Sequence, residues 1–185
     1  GGSGSDVIYG GTGNDSLYGD YHVNDTGGLV YGYRQYGTSQ GVDKLYGGAG
    51  NDVLVGTDGD DTLDGGTGAD ELAGGNGVDT FVIRTGDGGS SIVEADVVTD
   101  YVDGTDVIGL DGLLFSELTI EQGSGSYAND VIVRRGVEYL LVIKNQQIGS
   151  VAVSDFSSTS TSDNVYSGSS SDDVLIGGAG NDTFN

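Results

Sequence analysis

The sequence predicts an all-β fold made of short stacked strands. Three observations support this prediction: a nine-residue period, one apolar residue at a fixed place in every period, and an abundance of glycine. Between Thr38 and Val82 the chain reads TSQGVDKLY, GGAGNDVLV, GTDGDDTLD, GGTGADELA and GGNGVDTFV without a slip of register. One apolar residue in nine cannot form a core by itself, so successive units must stack and align these residues in a ladder.

Each unit combines an apolar residue at position eight, an aspartate at position six and a glycine at position four. The three residues around position eight predict a very short strand with its central side chain pointing inward. The six residues before them predict a turn, because glycine permits positive φ and close approach of two backbones. Two units then make one full turn of the fold, so that units two apart lie above one another. The apolar residues are Leu45, Leu54, Leu63, Leu72 and Phe81.

The position-six aspartates follow the two edges of this stack. Asp43, Asp61 and Asp79 fall along one edge, and Asp52 and Asp70 along the other. Stacked carboxylates lie about one strand spacing apart, about 4.8 Å, and repel by about 1 kcal/mol even in water. The whole chain has 29 acidic and 6 basic residues and a formal charge of −23. Carboxylate and carbonyl oxygens are hard ligands that suit Ca²⁺, whereas Mg²⁺ prefers to keep its waters.

Several units, among them GGSGSDVIY, GGTGNDSLY, GGAGNDVLV and GGTGADELA, resemble the calcium-binding nonapeptide G-G-x-G-x-D-x-U-x of the RTX (repeats-in-toxin) family. This resemblance implies a right-handed parallel β-roll that holds several Ca²⁺ ions between glycine loops two repeats apart. In the family, the earlier loop of each pair contributes the carbonyls of positions one, three and five. The later loop contributes the carbonyls of positions two and four and the aspartate of position six.

Three complete sites follow from the resemblance: loop 38–43 with 56–61, loop 47–52 with 65–70, and loop 56–61 with 74–79. The first loop departs from the pattern, because Thr38 and Ser39 replace its two leading glycines. The candidate ligands are Asp43, Gly47, Ala49, Asn51, Asp52, Gly56, Thr57, Asp58, Gly59, Asp60, Asp61, Gly66, Gly68, Asp70, Gly75, Gly77 and Asp79, together with Asp6 and Asp15 at position six of the first two units.

The first predicted domain is the roll, residues 1–82, interrupted by a tyrosine-rich insertion at 19–37. The insertion reads as a loop leading into a strand or hairpin, and it contains the single histidine, His22. Two interpretations of its tyrosines stay open: a surface for a carbohydrate or another partner, or side chains that pack over the roll. The tyrosines are Tyr21, Tyr31, Tyr33 and Tyr36.

Residues 83–156 predict a small β-rich region that caps the roll. We expect strands at 118–122, at 131–134 paired with 137–143 as a hairpin, and near 151–156. Residues 92–110 resemble the segment that follows the roll in RTX proteins, which implies that one or two aspartates there close the last calcium site; a surface turn is the alternative. The candidates are Asp96, Asp100, Asp103 and Asp106, and Asp100 is the one included in the predicted ligand set. Residues 157–166 predict a polar linker, and 167–185 a partial second repeat block with Asp173 and Asp182 at position six.

Composition disfavours several functional classes. The chain lacks cysteine and has no apolar run long enough to span a membrane. Its negative charge disfavours nucleic acid as a partner. It has no H-E-x-x-H motif, and a single histidine leaves serine nucleophiles without an evident general base. We therefore expect no enzyme activity. Because the sequence lacks methionine and a signal peptide and starts within a repeat, we expect covalent neighbours in a larger parent protein.

The leading functional hypothesis is a calcium-binding module that folds when it binds Ca²⁺. The resemblance implies a bacterial protein handled by the type I secretion machinery and therefore a secreted, extracellular or cell-surface location. The alternative is an adhesin, matrix or surface-layer segment that uses the tyrosine-rich insertion to bind a partner.

Overall fold

A computed structural model of the chain describes residue 5, residues 7–19 and residues 41–159, together with the backbone of 22–23, 29–30, 165–166 and 183–184. In chain order the strands are β1 (Val7–Thr12), β2 (Ser16–Tyr18), β3 (His22–Val23), β4 (Leu29–Val30), β5 (Lys44–Ala49), β6 (Val53–Asp58), β7 (Thr62–Thr67), β8 (Glu71–Asn76), β9 (Thr80–Arg84), β10 (Asp96–Val98), β11 (Val107–Asp111), β12 (Leu118–Gln122), β13 (Val131–Arg135), β14 (Glu138–Ile143), β15 (Phe156–Ser158), β16 (Val165–Tyr166) and β17 (Thr183–Phe184).

Helical structure in the described residues is limited to single 3₁₀ turns between strands. These turns are Ile92–Glu94, Phe115–Glu117, Gly125–Tyr127, Ile148–Ser150 and Val153–Asp155. Among the described helices, none has the length and apolar character needed to cross a membrane.

Successive repeats contribute strands to two sheets in alternation, as the nine-residue period predicts. One sheet has the order β1-β5-β7-β9-β11-β15, and the other has the order β2-β6-β8-β10-β14-β13-β12. Within the roll the pairing is parallel, and Leu45 lies opposite Leu63 just as Leu54 lies opposite Leu72. Each residue thus pairs with its equivalent two repeats further along the chain, so the predicted parallel β-roll is confirmed.

The first two repeats keep this alternation across the insertion. Val7 pairs with Lys44, and Ser16 pairs with Val53. In each pair the partners are separated in sequence by two repeats plus the predicted insertion. The structure thus places residues 7–9 of the first repeat on one sheet and residues 16–18 of the second on the other, which the sequence left undecided.

The strands are longer than the three residues predicted from the apolar window. Strands β5 to β8 each have six residues and include the first three residues of the next glycine loop. Pairing resumes after position one, so that Gly48 lies opposite Gly66 and Ala49 opposite Thr67. The turn itself is therefore only the second half of the predicted loop.

The apolar ladder forms the core between the two sheets. The side chains at position eight are fully buried: Leu45, Leu54, Leu63, Leu72 and Phe81 each have 0% exposure. Val98 lies opposite Leu72 and Ile108 opposite Phe81, so the ladder continues past the last repeat.

The predicted β-rich cap is present and continues both sheets of the roll. β10 and β11 add one parallel strand to each sheet, and β15 follows β11. The predicted hairpin is confirmed, because β13 pairs antiparallel with β14, and β14 lies centrally between β13 and β10. The second strand of the hairpin was predicted over residues 137–143, but β14 begins at Glu138. Val137 lies in the turn instead, where it is 82% exposed.

Two short strand pairs lie in the regions that are otherwise outside the description. β3 and β4 pair antiparallel, as expected for a hairpin within the insertion. β16 and β17 pair parallel with Val165 opposite Thr183, again two repeats apart. The residues predicted as a linker therefore include strand residues at both ends, in β15 and in β16. Asp6, the insertion tyrosines, Asp173 and Asp182 lie outside the described residues.

Candidate calcium-binding loops

The position-six aspartates form two columns, one along each edge of the roll. The first column contains Asp43, Asp61, Asp79 and Asp106, and the second contains Asp15, Asp52, Asp70 and Asp96. These aspartates are at most 4% exposed, apart from Asp15, which is partly exposed. The stacking of loops two repeats apart brings each column together, as the sequence predicted for the five repeats between Thr38 and Val82.

A repeated hydrogen bond links neighbours within each column. In each column, the backbone N–H of every aspartate but the last donates to Oδ1 of the aspartate in the next turn of the roll. The N···O distances in the first column are 2.8 Å from Asp43 to Asp61, 2.9 Å from Asp61 to Asp79 and 3.1 Å from Asp79 to Asp106. In the second column they are 2.7 Å from Asp15 to Asp52, 2.7 Å from Asp52 to Asp70 and 3.0 Å from Asp70 to Asp96.

The second carboxylate oxygen, Oδ2, has a different environment. In the described part of the chain, no hydrogen-bond donor reaches the buried Oδ2 atoms of Asp15, Asp52, Asp70, Asp79 and Asp96. A buried carboxylate oxygen without a hydrogen-bond donor is costly unless a cation neutralises it. In Asp52, Asp70, Asp79 and Asp96, one carboxylate oxygen is thus held by a backbone N–H group, and the other is available to a metal ion.

The pKa values reflect the burial and mutual repulsion of the carboxylates within the columns. Burial raises the pKa of Asp79 to about 7, and the charges of Asp106 and Asp61 add to that effect. Burial and the charge of Asp70 raise the pKa of Asp96 to about 9. Burial, together with the charge of Asp52, also raises the pKa of Asp70. A bound cation would oppose each of these effects, because it favours the ionised carboxylate.

Position one requires glycine because a carboxylate and a carbonyl oxygen lie where a Cβ atom would be. A Cβ atom on Gly47 would lie 2.5 Å from Asp52 Oδ2 and 2.5 Å from the carbonyl oxygen of Gly65. A Cβ atom on Gly56 would meet Asp61 Oδ2 and, at 2.6 Å, the carbonyl oxygen of Gly74. Each loop therefore brings a carboxylate and main-chain carbonyl oxygens into a space that a side chain would fill.

Position-five and position-three side chains tie adjacent loops together. Asn51 Oδ1 accepts the N–H of Ala69 at 3.1 Å, and Asp60 Oδ1 accepts the N–H of Val78 at 2.8 Å. Asp58 Oδ1 accepts a hydrogen bond from Asn76 Nδ2 at 2.6 Å. These side chains hold the spacing between loops, which leaves the loops' main-chain carbonyls as the oxygens that could complete a metal site.

The remaining candidate ligands lie in the loops where the sequence placed them. Positions two and four have positive φ, including the one non-glycine candidate, Thr57, with φ of 92°. The carbonyl of Ala49 also accepts the N–H of Gly13 at 2.8 Å. The candidates with positive φ are Thr57, Gly59, Gly66, Gly68, Gly75 and Gly77.

The cap supplies two position-six aspartates that the predicted ligand set did not include. Asp96 and Asp106 end the two columns, whereas Asp100 accepts hydrogen bonds from the N–H groups of Gly74 and Gly75 at 3.0 and 2.9 Å. Asp103 is exposed. The signal in the sequence was the D-x-U pattern of D-V-V at 96–98 and D-V-I at 106–108, which repeats positions six to eight without the glycines.

The donor set fits calcium. Within the described ranges, no three His, Cys, Asp or Glu side chains converge as a metal cluster. The oxygens beside Asp52 Oδ2 and Asp61 Oδ2 include main-chain carbonyls, those of Gly65 and Gly74. Calcium accepts about six to eight such oxygens in flexible geometry. The buried Oδ2 atoms and the glycine-lined space beside them match this requirement.

Comparison with known proteins supports the same assignment. The model of the RTX calcium-binding nonapeptide repeat (four copies) matches residues 1–22, 46–81 and 158–185. These three segments are therefore RTX calcium-binding nonapeptide repeats, and in the described residues the repeats fold as a β-roll. No curated protein sequence matches the chain.

Comparison with solved structures gives partial matches. The extracellular lipase LipA from Serratia marcescens is similar with a TM-score of 0.52 and 19% identity over 81% of this chain. This chain spans 20% of the length of that lipase. A subunit of the Azotobacter vinelandii mannuronan C5-epimerase, AlgE6R2, has 18% identity over 81% of this chain and 89% of its own, with a TM-score of 0.48.

Proposed function

We propose that this chain is a calcium-driven folding module of a secreted bacterial protein, in which calcium binding and folding of the roll are one event. The observation that carries the proposal is the set of buried Oδ2 atoms in the two columns, which in the described residues accept no hydrogen bond at Asp52, Asp70, Asp79 and Asp96. Without a cation, the folded state holds negatively charged aspartates close together along the partly buried edges of the roll. This arrangement opposes folding until a metal ion compensates for it.

The chain's own residues would hold the ions in three pairs of loops. These are loop 38–43 with 56–61, loop 47–52 with 65–70 and loop 56–61 with 74–79, with Asp61, Asp70 and Asp79 as the carboxylate ligands. Asp96 and Asp106 extend the columns into the cap and are further candidates. Calcium supplies positive charge and flexible coordination, while the backbone N–H groups hold each carboxylate in place through Oδ1.

Calcium concentration would decide whether the module is folded. Ions that bind only the folded state stabilise it by RT ln(1 + [Ca²⁺]/Kd) for each site. Extracellular calcium modules bind at about 10⁻⁴ to 10⁻³ M. Sites of that affinity are empty inside a cell and filled outside it, so the chain would leave the cell unfolded and fold afterwards.

Export by the type I secretion machinery and an extracellular location are parts of this proposal. The RTX repeats support it, and one structurally similar protein is named as an extracellular lipase. Under the proposal the module has a structural role and supplies no catalytic group. Any catalytic activity would belong to covalent neighbours in a larger protein.

Far-UV circular dichroism during a calcium titration, after treatment with EGTA, tests the proposal. We expect a cooperative gain of β signal with Ca²⁺ and little change with the same concentrations of Mg²⁺. A β-rich spectrum that EGTA leaves unchanged contradicts calcium-driven folding.

A second candidate function is an adhesive or surface-layer segment. The observation that favours it is an aromatic pair on the outer face of the roll: the rings of Tyr9 and Tyr46 stack at 4.9 Å, and Tyr9 is 72% exposed. Binding of the calcium-loaded chain to immobilised polysaccharides tests it. The substitutions Tyr9→Ser and Tyr46→Ser should abolish binding without changing the calcium titration, and equal binding by these variants contradicts an aromatic binding face.

A further inference from the structure

Gly19 occupies a position-one site although the sequence register gives that place to Thr38. Its N–H donates to the carbonyl of Val55 at 2.9 Å, which continues the parallel pairing of Tyr18 with Val55. Gly19 is buried. It therefore lies beside Gly56, the position-one residue of the next loop along the same edge.

The surroundings of Gly19 match those of the other position-one glycines. A Cβ atom on Gly19 would lie 2.5 Å from the carbonyl oxygen of Gly56 and would also collide with Asp43 Oδ2. For Gly47 the two contacts are with Gly65 and Asp52. In both cases the contacts are the position-six carboxylate of the same loop and the position-one carbonyl of the loop two repeats on.

Gly41 marks the other end of the same loop. A Cβ atom on Gly59 would collide with the carbonyl oxygen of Gly41, as one on Gly77 would collide with that of Gly59. Gly41 is thus at position four, in agreement with the sequence register. Position one and position four of this loop are therefore separated in sequence by the whole insertion.

We propose that Gly19 is the first residue of the calcium-binding loop that ends at Asp43, and that its carbonyl replaces the one assigned to Thr38 in the site shared with Asp61. The inserted residues then lie inside a calcium-binding turn and not between two repeats. One ion would accordingly hold together the two ends of the insertion. This inference rests on the proposed calcium function.

Two deletions of equal length test the proposal. Removal of residues 20–38 leaves the loop G-S-Q-G-V-D, and removal of residues 19–37 leaves T-S-Q-G-V-D. The products differ at position one alone, as glycine or threonine. We expect the first deletion to keep the calcium stoichiometry of the intact chain by equilibrium dialysis. The second should bind one ion fewer or need about tenfold more calcium at its folding midpoint, because a threonine Cβ meets Asp43 Oδ2 and the Gly56 carbonyl.

A point substitution in the intact chain keeps the proposal testable if either deletion fails to fold. Gly19→Ala should lower calcium affinity, while the control Gly149→Ala, whose Cβ would meet no atom within 4 Å, should not. Equal calcium binding by the two deletions, or by Gly19→Ala and the intact chain, overturns the assignment of Gly19. Loss of the calcium response in the intact chain would instead overturn the proposed function.

Discussion

At the scale of single residues, Thr57 departs from the repeat in a way that has a measurable consequence. It has φ of 92°, a region that favours glycine, and its buried hydroxyl accepts or donates no hydrogen bond among the described residues. The equivalent residue in neighbouring repeats is glycine, as at Gly48 and Gly66. A β-branched residue in this conformation costs about 1 kcal/mol or more.

We therefore expect Thr57→Gly to raise the free energy of unfolding by about 1 kcal/mol in saturating calcium. Urea unfolding measures this difference. Thr67→Gly is the matched control, because Thr67 holds an exposed position in β7 without positive φ. The control should destabilise the roll, and a loss of stability in Thr57→Gly as well would contradict the strain at Thr57.

A second prediction at the scale of single residues concerns Asp70. Its Oδ1 accepts the Asp52 N–H, while its buried Oδ2 accepts no hydrogen bond in the described chain. In Asp70→Asn the side-chain oxygen can still accept that N–H, but a charged calcium ligand is lost. We expect the calcium midpoint of folding to rise by at least about tenfold, whereas the calcium-free chain should be no less stable.

Glu71→Gln is the control for Asp70→Asn, since it removes one negative charge from the adjacent, exposed residue. A circular dichroism titration of both variants separates the loss of a ligand from a change in net charge. Equal midpoints for the two variants would argue against Asp70 as a ligand.

At the scale of elements, the ladder of position-eight side chains joins the two sheets. Leu63 is 0% exposed and lies between Leu45 and Phe81 in its sheet. Leu63→Ala should lower the free energy of unfolding by about 2–5 kcal/mol, because it leaves a cavity in a stack that cannot collapse locally. Val137→Ala, at an exposed turn, should change it little, and a comparable loss there would mean that the ladder is not the main apolar support.

The elements also show which parts of the fold the sequence could predict. The apolar period set the strand positions, the two-repeat offset and the aspartate columns, because all three depend on a regular spacing. Strand length could not be predicted in this way, since Gly48 and Ala49 pair through their backbones and carry no side-chain signal. Asp96 and Asp106 were candidates in the sequence but stayed outside the predicted ligand set, because their loops lack the glycines that mark the repeat. The sequence register assigned position one of this loop to Thr38 and not to Gly19, because the insertion separates Gly19 from the other residues of the loop.

At the scale of the whole molecule, Arg84 connects the roll to the cap. Its guanidinium contacts Asp64 in β7, Asp87 after β9, and Asp111 in β11. Asp64 and Asp87 are buried, and the hydrogen bond to Asp64 is the largest of the effects that raise the pKa of Arg84. One fixed cation thus compensates for several carboxylates that lie outside the two aspartate columns.

Arg84→Met should lower the free energy of unfolding in saturating calcium by about 3 kcal/mol, because buried carboxylates lose their counter-charge. Arg134→Met, which breaks an ion pair with the more exposed Glu121, should have a much smaller effect, since solvent screens that pair. Chemical unfolding of the two variants at the same calcium concentration measures the difference. Equal effects would mean that Arg84 does not couple the roll to the cap.

The stability of the whole chain as a function of free calcium tests the central claim most directly. If calcium binds the folded state alone, the free energy of unfolding in urea should rise steadily with the logarithm of calcium concentration above the binding range. The slope gives the number of ions released on unfolding, and Mg²⁺ at the same concentrations should give little slope. A free energy of unfolding that is independent of calcium would contradict the account, because the carboxylate columns would then be stable without a cation.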